Sequence, residues 1–352
     1  MTTAQTTSSV STDAHMQLRA TLDRLATLLM SAILLLVVVV FALLPYYGYR
    51  ASQTPFMGGF VEPTLVFNDA GPQNSAGHWA LRDAGVKFPD RLLAIDDVPL
   101  STPGQLYSLL AAHRPGDTVR LTIEHAAGTS LEPAKILETR ALDVQLTPFS
   151  LDDLLSYFVV PYFVGLAFLV IGLWIFYLRR DEAAGRAFAL FCASAAVMIA
   201  GVYDLYTTQA FAGLWTASIP LAGAALFTLA AVFPQEAAYA ARRPVLRWLG
   251  FAPALVVIVY AETLLYNMAE PRLYARGWLA GYVFAALGIL FFIANSIYRW
   301  ARARSPVVRE QSRIIVIAGV IAFLPAVAWV VIAGFITSAA TFNVLYYFAP
   351  MV

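Results

Sequence analysis

The sequence has few of the side chains from which soluble enzymes and disulfide-bonded domains are built. Of its 352 residues only one is cysteine, and only 13% are charged. A single cysteine, Cys192, excludes a disulfide within the chain and a zinc site built on cysteines. The net charge of +1 provides no basic field of the kind that nucleic acid requires. We therefore expect no nucleic-acid partner.

Histidine is also scarce, and its placement argues against intramembrane catalysis. The four histidines are His15, His78, His113 and His125, and none lies in an apolar run long enough to cross a membrane. A metalloprotease would need HExxH on a membrane helix, and a rhomboid-type protease would need a histidine there to activate its serine. No GxxxxGK[ST] loop is present either. We expect this chain to be no enzyme and to need no cofactor or metal.

Apolar residues dominate what remains. They make up 60% of the chain, and the mean hydropathy is +0.69. A run of about 20 apolar residues matches the hydrocarbon thickness of a bilayer. Seven such runs predict full spans at 25–44, 157–178, 186–205, 213–233, 246–266, 278–298 and 314–336. The last apolar run, 344–352, is too short to cross as a helix, so we expect a partial eighth span, either truncated or re-entrant.

These runs predict an α-helical polytopic membrane protein with an inserted α+β domain. Residues 1–18 are rich in Thr and Ser and predict a disordered segment; 19–49 form the first anchor, 50–153 a water-soluble domain, and 154–352 the helical bundle. Thirteen arginines fall on the side of the N-terminus, whereas the short loops opposite hold only Arg272 and Arg276. The positive-inside rule then places the N-terminus in the cytoplasm and the 50–153 domain outside it.

The soluble segment has the order strand, turn, helix, turn, strand. Alternation in RLLAID and TVRLTI predicts strands, and PGQLYSLLAAH has the apolar spacing of an amphipathic helix. Residues 92–100, 104–113 and 114–123 together resemble the second half of a bacterial PDZ domain. Pro89 and Asp90 depart from the Gly-Asp usual there, and Asp97 replaces a turn glycine, a mild change because Asp tolerates turn conformations.

A PDZ domain binds an extended peptide by strand addition and holds its carboxylate in a glycine-containing loop. In this sequence the resemblance assigns the carboxylate loop to Gly58, Gly59 and Phe60, with Leu106 and Leu110 lining the groove. The alternative interpretation is that the two glycines form a flexible exit from the first span and the leucines are ordinary core.

Two carboxylates near predicted span ends are further candidates for ligand binding. Asp204 and Glu262 are close to several tyrosines, and burying a charge at a helix centre costs about 2.5–3.5 kcal/mol on insertion scales. They line a pocket beneath the soluble domain, or they reach the interface within an aromatic belt. Gly277 and Gly281 have the spacing that lets helices approach closely, and Asn295 predicts a hydrogen bond between helices.

Two loop signatures extend the resemblance to the membrane region. LAAVFPQEAAYAARRPVLRWLGFAPAL (229–255) leaves one helix through Phe-Pro and crosses a basic turn, and REQSRIIVIAGVIAFLPAVAW (309–329) opens a helix with charged residues. With one span and an external PDZ-like domain before them, they resemble the sensor half of ComP-like bacterial sensor histidine kinases. The resemblance implies a homodimeric receptor of the inner membrane for an extracytoplasmic ligand such as a peptide, with an output domain outside this chain. The alternative is a PDZ-bearing scaffold or protease-associated factor without an output domain.

Overall fold

A computed structural model describes residues 4–72, 78–129, 131, 134–237, 242 and 244–332. The chain is mostly helical and carries one small antiparallel sheet. Its helices are α1 (Ala4–Gln53), α2 (Ala80–Asp83), α3 (Pro103–Leu110), α4 (Leu151–Leu154), α5 (Val160–Arg179), α6 (Ala183–Ala200), α7 (Val202–Tyr206), α8 (Ala212–Val232), α9 (Phe251–Leu265), α10 (Tyr274–Arg302) and α11 (Pro306–Val331). Its strands are β1 (Arg91–Ile95), β2 (Val98–Pro99), β3 (Thr118–Ala127) and β4 (Lys135–Gln145).

Six helices in the described part of the chain are long and apolar enough to cross a membrane. They are Thr21–Gln53, Leu151–Arg179, Ala183–Ala200, Ala212–Val232, Val245–Leu265 and Tyr274–Arg302. Each coincides with one of the first six predicted spans. The seventh predicted span, 314–336, begins within α11 and runs past the described residues at 332, and the partial eighth, 344–352, lies entirely outside them.

The N-terminal segment differs from the sequence-based expectation. Residues 1–18 predict disorder, but α1 begins at Ala4 and continues without interruption through the first span to Gln53. The Thr- and Ser-rich segment also contains Ala, Gln, Met and Leu, all good helix formers, and it adjoins a long helix that is already nucleated. Adding residues to an existing helix avoids the cost of nucleation, which is the physical reason for the difference.

Two helices form the centre of the membrane bundle. The most apolar stretches of α6 and α8 are 72% and 83% buried against other helices, whereas that of α9 is 17% buried. Close packing there depends on glycine: a Cβ at Gly288 of α10 would lie 2.7 Å from the carbonyl oxygen of Gly223 in α8. Gly277 and Gly281 likewise pack within the chain, against Ala261 and Ile219. As predicted, Asn295 of α10 donates a hydrogen bond to the carbonyl of Ala230 in α8.

The soluble domain is built on an antiparallel sheet in the order β2-β1-β3-β4. Alternate residues of β3, including Val119, Leu121 and Ile123, are buried beneath helix α3 and the segment before α2. Helix α3 begins where the sequence predicts, because the Thr102 hydroxyl accepts a hydrogen bond from Gln105 N at 3.3 Å and Pro103 occupies the first turn. Strand β4 was not anticipated.

The domain sits on one end of the bundle, the end at which α1 terminates. At the other end, Arg186 at the start of α6 pairs with Asp23 of α1 at 2.5 Å, and Arg299 of α10 donates to the carbonyl of Ala230 at 2.9 Å. The loops at 207–211 and 266–273, which the predicted topology puts on the domain's side, both contact the domain. Which side of a membrane this end faces stays a prediction.

Candidate functional site

The candidate site is the junction, the region where the soluble domain meets the 207–211 and 266–273 loops and the start of α4. A hairpin spanning 60–68 forms its domain side. Two backbone hydrogen bonds close the hairpin, Glu62 N to Val66 O at 2.8 Å and Asn68 N to Phe60 O at 3.2 Å. Leu65 at the turn adopts a φ of +63°. All residues from 57 to 67 are buried, so this hairpin is packed inside the protein and is not a surface loop.

Two bonds join the hairpin to separate loops of the bundle. The Gln209 side-chain amide donates to the carbonyl of Val61 at 2.8 Å, and the Thr64 hydroxyl donates to the carbonyl of Pro271 at 2.6 Å. Nearby, the Tyr107 hydroxyl of α3 donates to the carbonyl of Tyr206 in α7 at 3.3 Å. The domain is thus attached through three side chain-to-backbone bonds, two of them to residues 206–209 and the third to Pro271.

Glu62 lies between the two attachment points and is 1% exposed. Its Oε1 accepts a hydrogen bond from Asn68 Nδ2 at 3.0 Å, whereas its Oε2 has no hydrogen-bond partner among the described residues. Burial raises the pKa of the Glu62 carboxyl from 4.5 to about 8, and the Asn68 hydrogen bond opposes this shift. At neutral pH the carboxyl is therefore largely protonated and uncharged.

An aromatic cluster occupies the next layer of the junction. Phe60 lies at its centre, with ring centroids 5.2–6.5 Å from those of six neighbours. These neighbours are Phe56 and Trp79 of the domain, Phe149 and Tyr157 at the entry to α5, and Tyr203 and Tyr206 of α7. Such pairs contribute about 0.5–1.5 kcal/mol each beyond the area they bury. The cluster makes the domain and bundle one packed unit.

Trp79 of the aromatic cluster also takes part in a pair of buried hydrogen bonds. Trp79 donates its indole N–H to Asp153 Oδ2 at 3.0 Å, and the Ser150 hydroxyl donates to the same oxygen at 2.7 Å. Because Asp153 is 5% exposed and lies at the start of the second span, this contact fixes the domain against the helix entry. Hydrogen bonds to a charged acceptor contribute about 1.5–3 kcal/mol.

The structure brings most of the predicted peptide-binding residues together. Gly59, Phe60, Leu106 and Leu110 line one cavity of about 30 Å³, which is room for about two water molecules. Phe149, near the end of the domain, and Tyr203 and Thr207, which lie outside it, line the same cavity. Four of the five predicted residues therefore meet, but the cavity that they line is too small for an extended peptide.

Gly58 is absent from that cavity and has a different role. Its φ is +83°, and a Cβ at this position would lie 2.5 Å from the backbone nitrogen of Ala80. Glycine is required because the chain passes directly against the start of α2 in a left-handed conformation. Gly58 and Gly59 are buried, so the interpretation of a flexible exit from the first span does not apply to them.

Asp204 and Glu262 occupy different environments. Asp204, 4% exposed, accepts hydrogen bonds from Thr208 Oγ1 and from the backbone N–H groups of Ala210 and Phe211 at 3.2 and 2.9 Å. It thus organises the turn that leads into α8. Burial raises the pKa of the Asp204 carboxyl, and these hydrogen bonds oppose the shift. Glu262 lies on α9 against Gly213, at the start of α8.

A cluster of charges borders the junction on the sheet side. Arg272 from the 266–273 loop pairs with Glu124 of β3 at 2.5 Å and donates to the carbonyl of Pro89 at 2.8 Å. Asp90, 1% exposed, accepts from Ala126 N at 3.0 Å and lies 2.7 Å from His125 Nδ1. No group of three or more His, Cys, Asp or Glu that could hold a metal ion was found in the described ranges.

Sequence reasoning overlooked Glu62 and Gln209. A signal for Glu62 exists: it is the one charged residue between Met57 and Phe67, within a segment whose other members are apolar, small or Thr and Pro. Gln209 has no comparable signal, because its partner Val61 is 148 residues away. Its φ of +56° is visible only in the folded chain.

In comparisons with known proteins, no family model, no curated protein and no solved structure matches this chain. The proposed function therefore depends on the residues of the junction alone. The resemblances to a PDZ domain and to a sensor kinase stay predictions.

Proposed function

We propose that this chain is the sensor module of a membrane receptor, in which an extracytoplasmic domain and a helical bundle respond together to a ligand such as a peptide. The observation that supports the proposal is the junction, where Val61, Thr64 and Phe60 connect one domain hairpin to three parts of the bundle. A change in the domain is passed to α7, α8 and α10 through these contacts. A coupling of this kind requires two arrangements of a packed element that a ligand can bias.

In this proposal the chain lies in the inner membrane of a bacterium, with its N-terminus in the cytoplasm. It acts as a homodimer, and the signal goes to an output domain, such as a histidine kinase, that would lie outside this chain. The ligand enters from the domain's side and acts on the cavity that Gly59, Phe60, Leu106 and Leu110 line. Its binding displaces Tyr203 or Phe149 from that cavity.

The alternative function is a scaffold that binds the C-termini of other proteins in an open groove. It requires a backbone edge that is free for strand addition. On the hairpin beside the predicted carboxylate loop, the carbonyl of Val61 is instead hydrogen-bonded to Gln209, and Phe149 and Tyr203 line the neighbouring cavity. This favours the sensor over the scaffold.

A chromosomal deletion tests the proposal. Residues 58–147 are replaced by a flexible linker in the cells that produce the protein, and a second strain carries Gln145→Ala as a benign control. A sensor module predicts a change in a restricted set of transcripts with unchanged membrane insertion of the protein, and no change in the control. Unaltered transcripts in the deletion strain would contradict the proposal.

A binding measurement separates the two functions. The chain in lipid nanodiscs is passed over immobilised peptides with apolar C-termini, as free carboxylates and as amides. The sensor proposal predicts retention that does not depend on the free carboxylate, because Phe149 and Tyr203 line the cavity that a C-terminal residue would have to enter. Retention that depends on the free carboxylate would favour the scaffold.

A further inference from the structure

We propose that Glu62 is a proton-controlled latch: while its carboxyl is neutral the hairpin stays docked in the bundle, and ionisation releases the soluble domain from the junction. The inference concerns docking, and it holds whatever the module senses. Three observations support it: the position of Glu62, its hydrogen bonds, and the absence of a compensating cation among the described residues.

Glu62 lies between the two hydrogen bonds that hold the hairpin on the bundle. Its neighbours in the hairpin, Val61 and Thr64, hold the two bonds to the 207–211 and 266–273 loops. The side chain is 1% exposed, so it can reach water only if the hairpin leaves the bundle. The free-energy cost of ionising the buried Glu62 carboxyl therefore destabilises the docked arrangement.

The hydrogen-bonding pattern suits the neutral form of the carboxyl. Oε1 has one donor, Asn68 Nδ2 at 3.0 Å, and Oε2 has none among the described residues. A buried carboxylate is stable when it accepts two or three hydrogen bonds or pairs with a cation. One neutral amide supplies much less than that.

The groups that face Glu62 from the surrounding elements supply no positive charge. They are tyrosines and carboxyls: Tyr107 of α3, Tyr206 of α7, Tyr274 and Tyr282 of α10, and, further out, Asp69 and Asp204. Burial raises the pKa of Tyr107 and of Tyr206 well above 10, so both stay neutral at the pH values that matter here. Within the described chain, Glu62 forms no ion pair with Lys, Arg or His.

The direction of the pH dependence follows from the two states. The docked carboxyl has a pKa of about 8, and a carboxyl in water has its ordinary value of 4.5. A raised pKa means that the docked state binds the proton more tightly, so docking is favoured most below pH 4.5 and loses that advantage as pH rises to about 8. Release of one proton changes the undocking equilibrium by at most about tenfold per pH unit within this window.

Three cysteine reporters measure the release in the full chain, reconstituted in lipid nanodiscs with Cys192→Ala. Thr207→Cys is 4% exposed at the junction, Val119→Cys is 0% exposed in the core of the domain, and Ser101→Cys is exposed on its surface. Maleimide labelling rates are divided by that of Ser101→Cys at each pH, which cancels the pH dependence of thiol reactivity. The junction reporter then responds to undocking, and the core reporter responds only to unfolding.

We expect the normalised labelling of Thr207→Cys to rise at least tenfold from about pH 6 to about pH 8, with Val119→Cys unchanged. Glu62→Gln, which keeps the acceptor for Asn68 and cannot ionise, should abolish the rise, and Glu138→Gln on the exposed face of β4 should leave it intact. A flat profile with Glu62 present, or an equal rise in Glu62→Gln, would overturn the latch. So would parallel exposure of Val119→Cys, because the domain would then be unfolding.

Discussion

The side-chain amide of Gln209 lies 2.8 Å from the backbone carbonyl of Val61 and donates a hydrogen bond to it. Within the hairpin, Phe60 O and Glu62 N are used by the opposite strand, so the carbonyl of Val61 points away from that strand, toward the edge. A bundle loop thus takes the bond that an added peptide strand would otherwise make. On this hairpin, one backbone acceptor is therefore already occupied by a loop of the same molecule.

Removing this bond should loosen the junction. Gln209→Ala leaves the buried carbonyl of Val61 without its donor, and an unsatisfied buried polar group costs about 1–3 kcal/mol. We expect faster amide hydrogen exchange across the 58–68 segment, measured by mass spectrometry in nanodiscs. Gln145→Ala, which removes an exposed amide bonded to the carbonyl of Gly116 at 3.3 Å, is the matched control and should leave that segment unchanged. Equal exchange in both variants would show that the Gln209 bond does not hold the hairpin.

Two glycines with positive φ should respond differently to alanine. Gly58→Ala combines a left-handed backbone, which costs about 1 kcal/mol, with a Cβ placed 2.5 Å from Ala80 N. Gly116 has a φ of +101° and nothing within 4 Å of the added Cβ, so Gly116→Ala costs only the backbone term. We expect Gly58→Ala to lower the free energy of unfolding by about 2–4 kcal/mol, measured by thermal unfolding in detergent. Equal unfolding temperatures of the two variants would show that the added Cβ at position 58 does not clash with the backbone of Ala80.

Asp204 should prove to be a structural residue. Asp204→Ala removes the acceptor of three hydrogen bonds in a buried turn and should destabilise the chain by about 2–4 kcal/mol, whereas Asp204→Asn retains one acceptor oxygen and should recover much of this. Glu262→Gln, on the half-exposed side of α9, serves as the control and should change stability by less than about 1 kcal/mol. Comparable losses in Asp204→Asn and Asp204→Ala would point to a need for the charge itself.

The Arg272–Glu124 pair should contribute to docking more than a surface pair does. Its side chains are 16% and 18% exposed, whereas those of the Arg179–Glu182 pair are 62% and 53% exposed. A double-mutant cycle with Arg272→Gln and Glu124→Gln should give a coupling of about 1–3 kcal/mol, against about 0.2–1 kcal/mol for the same cycle at the exposed pair. The measurement is chemical denaturation in mixed micelles. A coupling no larger than that of the exposed pair would show that the Arg272–Glu124 pair does not help to hold the domain at the junction.

Prediction from the sequence worked where the signal is local. Helix α3, predicted at 104–113, is found at Pro103–Leu110, and the first six spans follow from uninterrupted apolar runs. It worked less well for the site. Gly59, Phe60, Leu106 and Leu110 do meet in one cavity, yet Tyr203 and Thr207, which line the same cavity, come from a segment of the bundle that no local pattern places there.

The sequence alone determined that this chain is mostly helical, with apolar helices long enough to cross a membrane and an insertion that contains strands, because the length of an apolar run and the alternation of a strand are properties of neighbouring residues. Only the tertiary structure decided which apolar helices face one another, since hydropathy cannot distinguish a residue that faces lipid from one that faces another helix. It also decided the state of Glu62. A carboxyl's pKa depends on its contact with water, and Glu62 is buried only because the folded chain packs around it.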